Sequence, residues 1–292
     1  LEKLSRGYVQ KLYPVFGPEV DVPAPDVNTN CKIMGWMVDE FEKLIGKKAR
    51  ATFTGKAIED GGSQGRTEAT GFGGGVVLRE VLKAGLVDLG ENKTIAIQGF
   101  GNVATYFAER AKAQGLKVVA LSDSKGGIYN SEGIDVAAAE EHKKQTGALK
   151  GLSGTTEITN AQLLELPVGV LVPAALENVL TGENALNIKA KMIIEMANGP
   201  TTQEADAIFE KNNIVVIPDI LANSGGVATS YYEWYQNMHN ESWSREDVLT
   251  KLDALMIKAF EGVFEAKKQY NTSLRNGAYI VAIKRIQEAS KF

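Results

Sequence analysis

Residues 95–104 read IAIQGFGNVA, and this stretch decides the fold. It opens as an apolar β-type run, passes through Gly-x-Gly-x-x-Ala, and continues into a helical pattern. Gly99 permits a tight turn, Gly101 lets backbone amides approach a pyrophosphate, and Ala104 lets the helix pack closely on the strand. Asp123 ends the next β-type run, where an acidic side chain can bind ribose hydroxyls. This order predicts a dinucleotide-binding turn at the positive end of a helix.

Short β-type runs alternate with helical patterns from Thr94 onward. The runs cover residues 94–98, 117–122, 168–172, 191–195 and 214–217. Each run is too short for a helix, and most are bounded by Gly, Pro, Asn or Asp. The alternation predicts an α/β fold, with a doubly wound, Rossmann-like parallel sheet and helices on both of its faces.

Helical patterns flank this region on both sides. An amphipathic helix opens the chain, a proline-containing loop covers residues 21–30, and a second amphipathic helix follows over about residues 33–45. Beyond Ser224 the chain is helical almost throughout. One apolar stripe in this part consists of Val248, Leu252, Leu255, Ala259 and Val263. We expect this stripe to be buried.

The composition describes a globular protein and argues against several functional classes. Of 292 residues, 44% are hydrophobic, so the chain can bury a substantial core. A net charge of -4, without a Lys/Arg block that alternates with aromatic residues, argues against nucleic acid as a partner. No apolar run approaches the length of a membrane span, and neither His142 nor His239 has metal-ligand spacing. The lone Cys31 excludes an internal disulfide, so we expect a protein of the reducing cytoplasm. Because the histidines lack metal-ligand spacing, we also expect no metal.

Several further motifs accompany the dinucleotide turn. They are DVPAPDV at residues 21–27, TGK and GGSQGRTEATGFG within residues 54–73, PAALEN at 173–178, ANGPTT at 197–202 and PDILANSGGVATSYYEW at 218–234. Together with the turn, they resemble the glutamate dehydrogenases of the hexameric bacterial and archaeal type, from the first residues to the last helix. Related dehydrogenases for leucine, phenylalanine or valine share the turn but lack the Arg-x-Glu-Ala-Thr-Gly pattern of residues 66–71. The resemblance therefore favours glutamate, and an amino-acid dehydrogenase of different specificity is an alternative.

The resemblance implies an activity and a domain organisation. The activity is the reversible, NAD(P)-dependent oxidative deamination of L-glutamate to 2-oxoglutarate and ammonia, in a homo-oligomer. Residues 1–55 would be the remnant of a substrate and assembly domain, residues 56–224 the dinucleotide-binding domain, and residues 225–292 C-terminal helices that pack back between the domains. The expected ligands are these small molecules, with neither nucleic acid nor a membrane as a partner.

Asp26 is the residue that the resemblance implies for catalysis. A positioned carboxylate can move protons on and off nitrogen and water while an amino acid is oxidised to an imine and hydrolysed. Pro23 and Pro25 restrict the backbone around it. Taken without the resemblance, Asp26 could instead cap the following helix.

Three polar residues are implied to bind the substrate, and they are Ser230, Asn223 and Arg66. The Ser230 hydroxyl matches the group that meets the substrate's side-chain carboxylate, where an apolar residue would suit an aliphatic substrate. The alternative for Ser230 is a helix hydroxyl bonded to its own backbone. Asn223 and Arg66 match polar groups near the same pocket.

The resemblance extends to the cofactor. Thr70 and Asn102 match the pair that binds the nicotinamide carboxamide, a group that needs both donor and acceptor partners. The other implied cofactor-binding residues are Gly99, Gly101, Val103, Asp123, Ala174, Ala175 and Asn198. A carboxylate at Asp123 favours NAD because it repels a 2′-phosphate, whereas Lys125 could neutralise that phosphate and keeps NADP open.

The family carries substrate-holding and catalytic lysines in a Lys-x-Gly-Lys segment upstream of the opening helix, and this sequence contains no such segment. Lys56, in TGK, matches a different motif. We therefore expect the 292-residue chain to be a fragment that binds dinucleotide but turns over little. A non-catalytic, regulatory nucleotide-binding module stays an alternative. A hydroxy-acid dehydrogenase is disfavoured, because neither histidine is placed for acid–base work beside an arginine.

Overall fold

The computed structural model describes residues 1–26 and 28–290, which form two compact units. Unit 1 consists of residues 1–69 and 226–252, and unit 2 consists of residues 70–225 and the chain from residue 253 onward. Val27, which ends the DVPAPDV motif, and residues 291–292 of the predicted C-terminal segment lie outside the described residues. The domain boundaries predicted after residues 55 and 224 stay predictions.

Helices contribute to both units. In chain order they are α1 Glu2–Leu12, α2 Cys31–Ile45, α3 Ala69–Lys83, α4 Asn102–Ala113, α5 Val136–Thr146, α6 Asn160–Leu164, α7 Gln203–Lys211, α8 Asp219–Ala222, α9 Gly225–His239, α10 Arg245–Tyr270 and α11 Leu274–Ala289. The last three confirm that the chain beyond Ser224 is almost entirely helical. Within the described ranges, no helix is both long and apolar enough to cross a membrane.

Unit 2 is built on a seven-stranded sheet. Its strands are β1 Thr94–Gln98, β2 Lys117–Asp123, β3 Gly126–Tyr129, β4 Thr156–Ile158, β5 Val170–Pro173, β6 Met192–Ile194 and β7 Val215–Ile217. They lie in the order β4-β3-β2-β1-β5-β6-β7, and β2, β1, β5, β6 and β7 run parallel. The strand order reverses between β1 and β5, so the turns after these strands meet at one edge of the sheet. This topology confirms the predicted doubly wound α/β fold.

One edge of the sheet is antiparallel. β3 pairs with β2 from Gly126 opposite Asp123, and β4 pairs with β3. Neither strand was among the predicted runs, because β3 reads GGIY and the largely exposed β4 reads TEI. Such short runs carry too few apolar side chains to give a sequence pattern. These residues form strands because they pair with the edge of the existing sheet, not because their local sequence favours the β conformation.

The centre of the sheet explains why the β1–turn–α4 unit forms. Ile95 and Ile97 of β1 are completely buried, and so is Phe107 on α4. Burying each of these side chains contributes roughly 1.5–3 kcal/mol. The apolar strand and the apolar face of the helix therefore hold the intervening turn in a defined position.

Unit 1 has its own apolar core. The buried residues of this core are Val9, Ile33, Met34, Met37, Val38, Phe41 and Phe53. α2 begins at Cys31 because the side-chain oxygen of Asn30 accepts a hydrogen bond from Ile33 N at 3.2 Å. It ends where Gly46 takes the left-handed conformation, with φ 70°.

The buried stripe of α10 differs in register from the predicted one. Val248 and Leu252 are buried as predicted, but Leu255 is 40% exposed. Met256 and Phe260 take its place in the buried stripe. The prediction that Leu255 is buried is wrong. On an α-helix, the residue four positions after Leu252 lies closer to the face of Leu252 than the residue three positions after it, so Met256 is buried and Leu255 is not.

Candidate functional site

The predicted site residues are divided between the units. Unit 2 contains every predicted cofactor-binding residue together with Asn223. Unit 1 contains Asp26, Arg66 and Ser230.

The glycine turn after β1 packs against the turn after β5. Gly99 has φ +92°, and a Cβ built on it would lie 2.8 Å from the Ala175 Cβ and 3.0 Å from the Ala174 carbonyl oxygen. Ala174 N also donates a hydrogen bond to the Gln98 carbonyl at 2.8 Å. Only glycine fits at position 99 without strain or displacement of its neighbour. The structure thus brings Gly99, Ala174 and Ala175 together, and their role in binding the cofactor stays a prediction.

Gly101 is surrounded by open space on the side that a Cβ would occupy. It is extended, and nothing lies within 4 Å of the position that its Cβ would take. It is also the N-cap of α4, and no side chain of the described residues caps this end. The first N–H groups of α4, including that of Val103, can therefore bind an anion that approaches the turn.

Thr70 lies on α3 close to the start of α4. A Cβ on the next residue, Gly71, would lie 2.5 Å from the Val103 carbonyl oxygen and 2.7 Å from Phe107 N. The two helix backbones therefore touch where α4 begins. Asn102, the first residue of α4, is exposed at that point, and Thr70 is half-buried. Their proposed pairing around a carboxamide stays a prediction.

Asn198 and Asn223 are hydrogen-bonded to each other. The Asn223 Nδ2 donates to the Asn198 Oδ1 at 2.7 Å, next to the end of β6. Sequence reasoning divided these residues between cofactor and substrate. Within unit 2 they form one polar pair, so a change at either side chain also affects the other.

The Asp123 carboxylate is fixed by the backbone. Its Oδ1 accepts from Lys125 N at 2.8 Å, and its Oδ2 accepts from Leu149 N at 2.9 Å. A carboxylate has capacity for further donors, so these bonds leave room for ribose hydroxyls. Lys125 itself is exposed and forms no salt bridge within the part of the chain that the structure describes.

Lys143 contacts the glycine turn, and sequence reasoning did not single it out. Its Nζ donates to the Phe100 carbonyl oxygen at 2.6 Å, in the middle of the glycine turn. In the sequence, Lys143 belongs to the charged run EEHKK, which is typical of a solvated helix face. No local pattern distinguishes it from its neighbour Lys144.

In unit 1, Asp26 lies exposed on a short turn that precedes α2. Its N–H donates to Thr29 Oγ1 at 2.6 Å, and its carbonyl accepts from Thr29 N at 3.0 Å. Asn30, not Asp26, caps α2, which removes the alternative that Asp26 is the helix cap. The catalytic role of Asp26 stays a prediction.

The proline loop that contains Asp26 contacts residues 54 and 55. Thr54 N donates to the Pro23 carbonyl at 3.1 Å. A Cβ on Gly55 would lie only 2.5 Å from the Pro25 Cδ, so the Pro25 ring packs directly on this glycine. The position of the loop therefore depends on the segment that contains Gly55.

A buried ion pair holds that segment to α9. The Glu233 carboxylate accepts from Gly55 N at 2.9 Å, from Lys56 N at 3.3 Å and from Lys56 Nζ at 2.6 Å. Both side chains are 0% exposed, and Lys56 Nζ also donates to the Phe53 carbonyl. Burial lowers the pKa of Lys56, an effect that the Glu233 charge opposes. These residues lie far apart in the sequence, and no pattern there predicted their pairing.

Ser230 and Arg66 both present groups without a partner. Ser230 is buried on α9, and its hydroxyl forms no hydrogen bond to any residue that the structure describes, including its own helix backbone. Arg66 Nε is buried and likewise has no partner among those residues. Burial lowers the Arg66 pKa, with the Glu233 charge acting against this shift. Their substrate-binding role stays a prediction.

A separate cavity of about 770 Å³ lies in unit 1, lined in part by Lys47, Arg50, Gln236 and Trp243. It contains none of the predicted site residues. Over the described residues, no group of three or more His, Cys, Asp or Glu side chains could hold a metal ion.

Comparisons with known proteins point to one protein family along the chain. A family model described as Glutamate/Leucine/Phenylalanine/Valine dehydrogenase matches residues 61–292, and one described as Glu/Leu/Phe/Val dehydrogenase, dimerisation domain, matches residues 1–43. The whole chain is 46% identical to the NAD-specific glutamate dehydrogenase of Clostridioides difficile and spans 70% of that protein.

Two solved structures have the same fold. The glutamate dehydrogenase of Peptoniphilus asaccharolyticus is 45% identical, with a TM-score of 0.83, and this chain is covered fully and spans 70% of it. The hetero-hexameric glutamate dehydrogenase of Thermus thermophilus, in its Leu-bound form, is 33% identical, with a TM-score of 0.93. All of this chain and 69% of the Thermus chain are covered.

Proposed function

The chain belongs to the Glu/Leu/Phe/Val dehydrogenase family, and from this premise we propose that it serves the NAD-dependent oxidative deamination of L-glutamate to 2-oxoglutarate and ammonia. The observation that carries the proposal is the open glycine turn of unit 2, in a chain that matches a NAD-specific glutamate dehydrogenase along its whole length. The Arg-x-Glu-Ala-Thr-Gly pattern of residues 66–71 supports glutamate over aliphatic or aromatic substrates.

The residues of unit 2 fit NAD. The open space above Gly101 and the uncapped start of α4 suit a pyrophosphate. The fixed carboxylate of Asp123 suits ribose hydroxyls and repels a 2′-phosphate. Thr70 and Asn102 are the proposed partners of the carboxamide, and Ala174, Ala175 and Asn198 the proposed lining of the cleft. When bound, NAD supplies the hydride acceptor for the oxidation.

In unit 1, Asp26 is the proposed proton-transfer residue. Asp26 is exposed, and its backbone is bonded to Thr29. The Pro25 ring on Gly55 adds to this fixation. Proton transfer between its carboxylate and a substrate nitrogen is the proposed role of Asp26.

Arg66 and Ser230 are the proposed partners of the substrate's carboxylate. A buried Arg66 Nε without a partner costs free energy, and an anionic ligand would supply the missing acceptor. The unbonded Ser230 hydroxyl can donate to a carboxylate oxygen. Asn223 is proposed to bind the substrate as well, with its amide oriented by the bond to Asn198.

We further propose that the protein acts in the cytoplasm as a homo-oligomer, with small molecules as its ligands. The match of residues 1–43 to a dimerisation domain supports assembly. The sequence has no block of Lys and Arg that alternates with aromatic residues, so it gives no support for a nucleic-acid partner.

A product assay tests the function. Because the 292-residue chain by itself is expected to turn over little, the assay uses the chain extended at its N-terminus by the family's Lys-x-Gly-Lys segment. The extended protein is incubated with uniformly labelled glutamate and NAD, and labelled 2-oxoglutarate, NADH and ammonia are measured by mass spectrometry and absorbance. We expect equal amounts of the three products, and the reverse reaction when ammonia, NADH and 2-oxoglutarate are supplied. Leucine, phenylalanine and valine serve as competing substrates. If one of these is consumed at a higher kcat/KM than glutamate, the assigned substrate is wrong.

A further inference from the structure

The glycine turn carries a positive charge that its sequence motif does not include. α5 begins at Val136 and is capped by Asp135, whose side chain accepts from Ala137 N and Ala138 N. The last turns of α5 bring Lys143 to the turn after β1. The Lys143 Nζ lies 2.6 Å from the Phe100 carbonyl oxygen and 5.7 Å from the centre of the Phe100 ring. Phe100 is the residue between Gly99 and Gly101.

Lys144, the next residue on α5, is an ordinary surface lysine and serves as a comparison for Lys143. Lys144 is exposed and forms a salt bridge with Glu140, at 2.9 Å on the preceding turn of α5. Lys143 is only half-exposed and forms no salt bridge among the described residues. Its ammonium group uses one donor on a neutral carbonyl, and an ammonium has further donors to offer. No described carboxylate therefore forms an ion pair with Lys143.

We propose that Lys143 binds the pyrophosphate of the dinucleotide, as a phosphate-binding residue additional to the backbone of the glycine turn. The inference rests on the proposed function, because it requires NAD to occupy unit 2. A lysine binds phosphate as a point charge, and N–H bonds to an anionic oxygen are stronger than those to neutral groups. The bond to the Phe100 carbonyl holds this charge at the residue that precedes Gly101, whose own Cβ position is open.

The ordinary alternative is that Lys143 only supports the turn through its bond to Phe100. Lys143→Gln separates these roles, because glutamine keeps an N–H donor for the carbonyl but has no charge. Lys144→Gln is the matched control, since it removes the same charge from the next position on the helix. Equal melting temperatures of the two variants show that the fold is intact.

The test is a calorimetric titration of the 292-residue chain with NAD at low and at high salt. We expect Lys143→Gln to lower NAD affinity about tenfold at low salt. It should also weaken the dependence of affinity on salt, because one phosphate contact by a cation has been removed. Lys144→Gln should stay within about twofold of the unmodified chain, as an exposed pair contributes little.

Two results distinguish failure of this inference from failure of the proposed function. If the unmodified chain and Lys143→Gln bind NAD equally well, with the same salt dependence, the inference is overturned while NAD binding stands. If neither the unmodified chain nor Lys144→Gln binds NAD, the proposed function is overturned and this inference with it. A loss of affinity in Lys143→Gln with unchanged salt dependence would assign Lys143 to support of the turn and also overturn the proposal.

Discussion

Position 99 has two requirements that only a glycine can meet together. Its φ of +92° lies in the region that side chains rarely adopt, and Ala175 occupies the space where its Cβ would be. The first requirement is local and can be read from a Gly-x-Gly motif. The second arises only because the turn after β5 packs on it.

Gly99→Ala should therefore lower both stability and NAD affinity. The backbone strain alone costs about 1–3 kcal/mol, and the clash with Ala175 displaces the turn that forms the cleft. We expect a lower melting temperature and at least a tenfold loss of NAD affinity by calorimetry. Gly115→Ala is the control, because Gly115 has φ +79° but nothing within 4 Å of its Cβ position. It should lose stability and keep NAD affinity. Unchanged NAD binding in Gly99→Ala would contradict the proposed role of the glycine turn.

Among the elements of unit 1, the Lys56–Glu233 pair ties the segment carrying Gly55 to α9. That segment in turn supports the proline loop of Asp26 through Thr54 and Gly55. A buried pair is no proof of stabilisation, since its desolvation costs about as much as its attraction returns. Its effect on the structure is to fix the segment of Gly55 and Lys56 to α9 through three hydrogen bonds to one carboxylate.

Glu233→Gln should strongly destabilise the protein, because it leaves the Lys56 ammonium buried without a counter-charge. The expected loss is about 3–5 kcal/mol, measured by urea denaturation. Glu265→Gln breaks the exposed Lys268–Glu265 pair, at 2.7 Å, and should cost less than about 1 kcal/mol. The double variant Lys56→Met, Glu233→Gln should recover part of the loss, since it removes both buried charges. Equal losses in Glu233→Gln and Glu265→Gln would show that the buried pair has no special effect.

Over the whole molecule, cofactor binding should appear as a gain in stability. A ligand that binds only the folded state adds about 2.7 kcal/mol at a concentration of 100 times its Kd. Because Asp123 disfavours a 2′-phosphate, we expect NAD to raise the melting temperature more than NADP at equal concentration. Thermal denaturation with each dinucleotide in turn measures this. A larger shift with NADP would mean that Lys125, exposed and without a salt bridge among the described residues, outweighs Asp123.

Local sequence patterns correctly predicted those parts of the chain that depend mainly on contacts between residues close together in the sequence. The run of residues 94–98 was predicted as a strand and is β1, and the Gly-x-Gly-x-x-Ala motif forms the turn into α4. The antiparallel strands β3 and β4 were missed because they depend on pairing with β2. Leu255 was misplaced because helix phase drifts over several turns, and packing decides which side chain is buried.

The sequence by itself determined the doubly wound sheet, the dinucleotide turn and the residue types of the predicted site, because periodicity and glycine positions act over a few neighbouring residues. The tertiary structure decided that Ala175 closes on Gly99, that Asn223 bonds Asn198, that Glu233 holds Lys56, and that Lys143 rather than Lys144 reaches Phe100. Each of these contacts joins segments distant in the chain. Their partners are selected by burial and by the need to satisfy buried charges and hydrogen bonds, which no short stretch of sequence records.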